Sequence, residues 1–153
     1  MFRFRKERLH YKVRSLSTRL RHKEQKILEV LEKLAEESVK GTPTIVEGKK
    51  DVTSLRKLGI DGTIISTKTG GKNFLDVVIE VEASGAREVI LLLDFDRRGK
   101  ELTHIFKGHF EKIRIRPNLV FWNELLRFAG RELKDIEGLA TYMETLKKKI
   151  EEA

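Results

Sequence analysis

A chain of 153 residues suits one domain with a substantial core and a modest extension, and excludes multi-domain machinery. Having no cysteine, it has no disulfide, no zinc-thiolate site and no thiol nucleophile. The net charge of +8 is unevenly placed, because residues 1–26 carry ten Lys/Arg against two acids while the remainder carries equal numbers of each. A basic arm beside a balanced domain implies a polyanionic partner whose attraction weakens as salt rises. No apolar run approaches a membrane span, and the arginine-rich start lacks the apolar stretch of a signal peptide, so the expectation is a cytoplasmic protein with no membrane span. Charged residues at 37% and the missing cysteine also fit the composition of a thermophile.

Residues 1–40 read as a basic N-terminal helical extension. Leu9, Val13, Leu16, Leu20, Ile27, Val30 and Leu34 recur at spacings of four and three, interrupted by Lys23. Three readings of this stripe are compatible. It packs on the domain, it forms a homodimer through a coiled coil, or it carries an outward nucleic-acid arm made of Arg3, Arg5, Arg8, Lys12, Arg14, Arg19 and Arg21. Gly41 to Pro43 ends the helix and opens the domain proper, residues 42–120. There the pattern predicts a strand over 44–47, a helix over 51–58 stopped by Gly59, and a strand over 62–66. A helix capped by Asn73 follows, then Gly85, a strand over 87–94, a helix over 99–110 and a strand over 112–116 stopped by Pro117. Strands alternating with helices imply an α/β fold with a mainly parallel four-stranded sheet. Residues 121–153 read as C-terminal helices packed on the domain, one over 124–128 and one placing Ile136, Leu139, Ala140, Met143, Leu146 and Ile150 on a single face.

Two apolar runs, TIVEGKKD over 44–51 and VILLLDFDRRGK over 89–100, end abruptly in carboxylates. Buried parallel strands read as continuous apolar runs, and ligands collect beyond their carboxyl ends. Glu47 and Asp94 therefore mark a candidate site. Asp96 points the same way as Asp94 if the chain stays extended between them. Such a set suits Mg2+, which takes one or two carboxylates with waters and substrate phosphates; Mn2+ is a possible substitute. Lys49 and Lys50 follow the glutamate, and Arg97, Arg98 and Lys100 follow Asp96. Cations at helix starts oppose the dipole, a conflict that a bound phosphate resolves. Lys49, Arg97 and Arg98, with Gly48, are the phosphate contacts this pattern suggests, against plain solvent exposure.

The Thr69-Gly70-Gly71-Lys72 stretch would let backbone approach a phosphate, which adds Gly70, Gly71 and Lys72. It is no Walker loop, since Asn73 replaces the Ser/Thr and Ser66 stands where the first glycine belongs. Asp51 either caps the following helix or pairs with a basic neighbour. Trp122 reads as a packing anchor, and His104 and His109 as surface residues.

Glu47-Gly48 followed by Asp94-Phe95-Asp96, with Gly99 after it, resembles the Toprim domain shared by topoisomerases, primases and ribosomal RNA maturases. The likeness covers about residues 42–120, and VEGKKD is most similar to the maturase and primase branches. It implies a three-layer, Rossmann-like domain in which Glu47 manages a proton or helps hold metal and Asp94 with Asp96 binds magnesium. The implied chemistry is Mg-dependent phosphodiester hydrolysis on nucleic acid, RNA slightly preferred over DNA, by one metal or two. The alternatives are a non-catalytic nucleic-acid-binding or adaptor module within a larger RNA-processing, replication or repair complex, and primase-like nucleotidyl transfer. Arg98 stands where some topoisomerases carry a third acid, and the zinc-binding domain of a full primase is missing from this sequence.

Overall fold

The computed structural model describes residues 2–152, with side chains from Leu16 to Glu152. Four short strands, β1 (Thr44–Val46), β2 (Ile64–Ser66), β3 (Glu88–Leu91) and β4 (Arg116–Asn118), form one sheet in the order β2-β1-β3-β4. All pairs are parallel, with Thr44 opposite Ile64, Ile45 opposite Leu91 and Val89 opposite Pro117. Six helices accompany it: α1 (Phe2–Val39), α2 (Lys49–Lys57), α3 (Phe74–Ala83), α4 (Arg97–Lys112), α5 (Val120–Ala129) and α6 (Leu139–Glu152).

Alternation along the strands divides the core into two layers. Ile45, Val89, Leu91 and Leu93 face one side and pack on Val77, Val78 and Val81 of α3 and on Phe106 and Phe110 of α4. Val46, Ile90 and Leu92 face the other side, where α1, α2, α5 and α6 supply Leu34, Leu55, Leu125 and Leu139. Period-two strands with both faces apolar are what a parallel sheet covered by helices requires.

The stripe on α1 packs on the domain from Leu20 onward. Ile27, Val30, Leu31 and Leu34 are buried, Leu20 is partly buried and Leu16 is 53% exposed. Lys23, which interrupts the stripe, meets Glu132 at 2.6 Å and lies over the Tyr142 ring. A cation at that position therefore has a partner on the C-terminal segment. The side chains of Arg3, Arg5, Arg8, Lys12 and Arg14 lie outside the described residues, while Arg19 and Arg21 are exposed.

Several boundaries differ from the sequence pattern. The helix expected to end at 110 runs to Lys112, and Arg114 then turns in the left-handed region at φ 63°. The fourth strand is consequently Arg116–Asn118 rather than 112–116, with Pro117 inside it. Arg116 N donates to Arg87 O at 2.8 Å, so the next nitrogen points to the open edge, where proline forfeits no ladder bond. The segment expected as a helix over 124–128 begins four residues earlier, at Val120. Ile136 is fully buried, as its place on the apolar face required, but precedes α6. Among the described residues no helix is long and apolar enough to cross a membrane.

Candidate metal centre

In the order β2-β1-β3-β4, the chain leaves β1 toward one edge and β3 toward the other. The crevice between the carboxyl ends of β1 and β3 is thus the switch point where open α/β sheets bind ligands. Glu47 follows β1 directly and Asp94 follows β3 by three residues.

Glu47 is held from several sides. Its carbonyl accepts from Lys68 N at 3.0 Å and from the hydroxyls of Ser66 and Thr67 at 3.2 Å each. Its side chain is only 5% exposed, and Lys68 Nζ stands 3.5 Å from Oε2. The other oxygen, Oε1, is buried without a hydrogen-bond partner, and so is Asp94 Oδ1. Burial first, then the Glu47 carboxyl lying beside it, pushes the Asp94 carboxyl up to about 8. Asp51 and Asp135 add to that push.

Gly99 fixes where Asp94 sits. A Cβ on Gly99 would come within 2.0 Å of the Asp94 carbonyl oxygen, so the first turn of α4 packs directly on the backbone of the motif. Asp96 has a different task. The chain bends at Phe95 and Asp96, and Asp96 becomes the exposed N-cap of α4, its Oδ1 accepting from Gly99 N at 2.7 Å. Asp94 thus faces Glu47, while Asp96 uses one carboxylate oxygen, Oδ1, to cap α4.

The basic residues suggested by the sequence fall into two groups. Lys49 and Lys72 line a cleft of about 540 Å³ with Lys50, Thr53, Ser66 and Thr69, although Lys72 is engaged by Glu80 at 2.8 Å. Arg97 and Arg98 are exposed on the first turn of α4, where Arg97 pairs with Glu101 at 3.3 Å. Gly48 caps α2, its N–H donating to the buried Asp51 carboxylate at 2.8 Å. Asp51 thus takes the capping role. Gly70 and Gly71 are exposed in a short turn at φ 69° and 68°, conformations that favour glycine.

Two orphaned buried carboxylate oxygens at a switch point fit a divalent cation, because an unpaired buried acceptor is costly until a cation or donor meets it. Among the described residues no three His, Asp or Glu side chains converge closely enough to hold an ion by themselves. A cation held by Glu47 and Asp94 would take its remaining ligands from water or phosphate oxygens.

A family model described as the Toprim domain matches residues 42–120. The chain belongs to the Toprim family. Toprim domains generally bind divalent metal ions. Relatives named UPF0292 protein include one from Methanosarcina barkeri, 37% identical over 82% of this chain and 85% of that one. Another, from Methanocaldococcus jannaschii, is 41% identical over 78% of this chain and 91% of its own. Among solved structures, a putative protein from Aquifex aeolicus superposes with a TM-score of 0.60 at 28% identity, covering 71% of this chain and 94% of that one. The fold is therefore the Rossmann-like Toprim type.

Against the Toprim pattern, Glu47 and Asp94 are brought together, while the basic candidates are spread over both flanks. Sequence reasoning passed over Lys68. It lies just past β2, beside β1, and the strand-end rule that singled out Glu47 would have found it had the rule included cations. It also passed over Asp135, which stands outside any strand-end pattern.

Proposed function

We propose that this Toprim protein is a Mg2+-dependent hydrolase of nucleic-acid phosphodiester bonds, with RNA preferred over DNA. The observation that carries the reading is the pairing of buried Glu47 with half-buried Asp94, each with one buried, unpartnered carboxylate oxygen, at the switch point of the sheet. The preference for RNA rests on the likeness of VEGKKD to the maturase branch.

Glu47 and Asp94 would hold the ion, which supplies charge neutralisation at the transferring phosphoryl group. Asp94 gives up its proton on binding, as ligands that must be deprotonated do. Glu47, 95% buried and fixed through its carbonyl by Ser66, Thr67 and Lys68, would take a proton from attacking water. Lys68 balances the Glu47 charge from the β2 side. Lys49, Arg97 and Arg98 steer the phosphate backbone across the crevice, and Asp96 holds the start of α4 against Asp94.

The test is cleavage of end-labelled structured RNA, single-stranded DNA and duplex DNA with Mg2+, with Mn2+ and with chelator. Cleavage should need metal and vanish in an Asp94→Ala/Asp96→Ala double variant. Glu47→Gln should lower the rate by at least about 100-fold while binding persists. Unchanged cleavage would remove Glu47 from its role.

A second reading, a nucleic-acid-binding adaptor within a larger complex, draws on the excess of basic residues over residues 1–26. Binding without cleavage in any metal would select it.

A further inference from the structure

Residues beyond Asn118 leave the sheet, yet they hold the backbone around Asp94. The Trp122 indole N–H donates to the Leu93 carbonyl at 2.8 Å. Phe95 N donates to the Lys134 carbonyl at 2.7 Å, and the Phe95 ring packs on Trp122 with centroids 5.9 Å apart. The same segment grips α2 as well. Ala140 N donates to Ser54 Oγ at 3.0 Å, and Lys50 Nζ stands 3.7 Å from Glu137 Oε1.

Asp135 lies on the short span between those attachments, one residue after Lys134, the partner of Phe95, and five before Ala140, the partner of Ser54. It is half-buried, its Oδ1 accepts from Gly138 N at 2.9 Å, and its charge bears on both Asp94 and Asp51. Glu47, with its buried unpartnered Oε1, faces the same crevice. Negative charge gathered around buried acceptors without a donor serves stability poorly, and serves a hydrated cation well.

We propose that Asp135, supplied by the segment between α5 and α6, is a further carboxylate of the cation site and reaches the ion through bound water. This rests on the reading of Glu47 and Asp94 as that site. Water-bridged contact agrees with magnesium's habit of keeping several of its waters, no three carboxylates converging for direct ligation among the described residues. The cation site of this chain is then incomplete without residues beyond the Toprim segment.

Asp135→Asn separates charge from fold, since the amide oxygen still accepts from Gly138 N. Mn2+ binding to the full chain is measured by calorimetry and by electron paramagnetic resonance, at low salt and in 0.5 M salt. The expected result is affinity weakened roughly 10-fold by Asp135→Asn, as for outer partners of metal ligands. The loss should persist in high salt, and Asp135→Glu should restore part of it. Asp61→Asn, at an exposed loop position, should bind like wild type. If Asp135→Asn loses its folded signal, Asp135→Ser, whose hydroxyl also accepts from Gly138 N, replaces it. Wild-type binding matched by a folded uncharged Asp135 variant would overturn the role of Asp135 alone. Absence of Mn2+ binding to the wild type would overturn the Glu47–Asp94 site, and Asp135 with it.

Discussion

Because burial and the neighbouring Glu47 carboxyl raise Asp94 to about 8, the metal-free protein should give up stability as pH climbs. The unfolded carboxyl titrates near about 3.9, so the native state holds the extra proton between that value and about 8. Asp94's stabilising contribution is complete below the lower value and lost through the upper one. Asp94→Asn mimics the protonated side chain at every pH. Metal-free wild type should therefore lose melting temperature between pH 5 and pH 9, while the variant stays flatter and becomes the more stable of the two at pH 9. The gap should be on the order of 1–3 kcal/mol, at roughly 2–4 °C for each kcal/mol in a chain of this size. Asp51, raised first by burial, leaves a smaller slope of the same sign. Mn2+ at pH 8 should raise the wild-type midpoint and leave the variant nearly unmoved. Parallel pH curves for the two proteins would remove the buried pair from the account.

At the scale of elements, α1 belongs to the core over part of its length. Leu34 is fully buried while Leu16 is 53% exposed. Leu34→Ala should cost about 2–5 kcal/mol in urea unfolding, whereas Leu16→Ala should stay within about 0.5 kcal/mol. Equal effects would mean that the stripe is engaged along its whole length, as in a coiled-coil dimer. The stripe itself was legible in the sequence, because helical periodicity survives an interruption at Lys23. Why a lysine stands there was not, since Glu132 is more than a hundred positions away. The carboxylates at the ends of β1 and β3 were legible for a similar reason: buried parallel strands must be apolar until they end. Pro117 misled because a proline usually stops a strand, and only the edge position of β4 makes it harmless. Asp135 left no trace, as nothing in its neighbourhood announces that Lys134 binds Phe95.

For the whole molecule, most of the excess positive charge lies at the start of the chain, ahead of Leu20, where described side chains begin to join the core. Residues 1–18 carry Arg3, Arg5, Lys6, Arg8, Lys12 and Arg14 against the single acid Glu7. At about 1.5 Å per residue, the 38-residue α1 is roughly 57 Å long, enough to carry charge well away from the crevice. Deleting residues 1–18 should therefore leave the melting temperature nearly unchanged and weaken binding to structured RNA. The plot of log affinity against log salt should become shallower by about 0.9 for each duplex phosphate that the arm had neutralised, or about 0.7 on single strands. Sedimentation of both chains reads out dimerisation through α1 in the same samples. If the truncated protein becomes monomeric and the slope falls, dimerisation and charge act together. If the slope falls without a change of mass, the arm acts as a basic tether. Unchanged affinity and slope would place the binding surface on the domain, where Lys49 and Arg97 flank the Glu47–Asp94 crevice from α2 and α4.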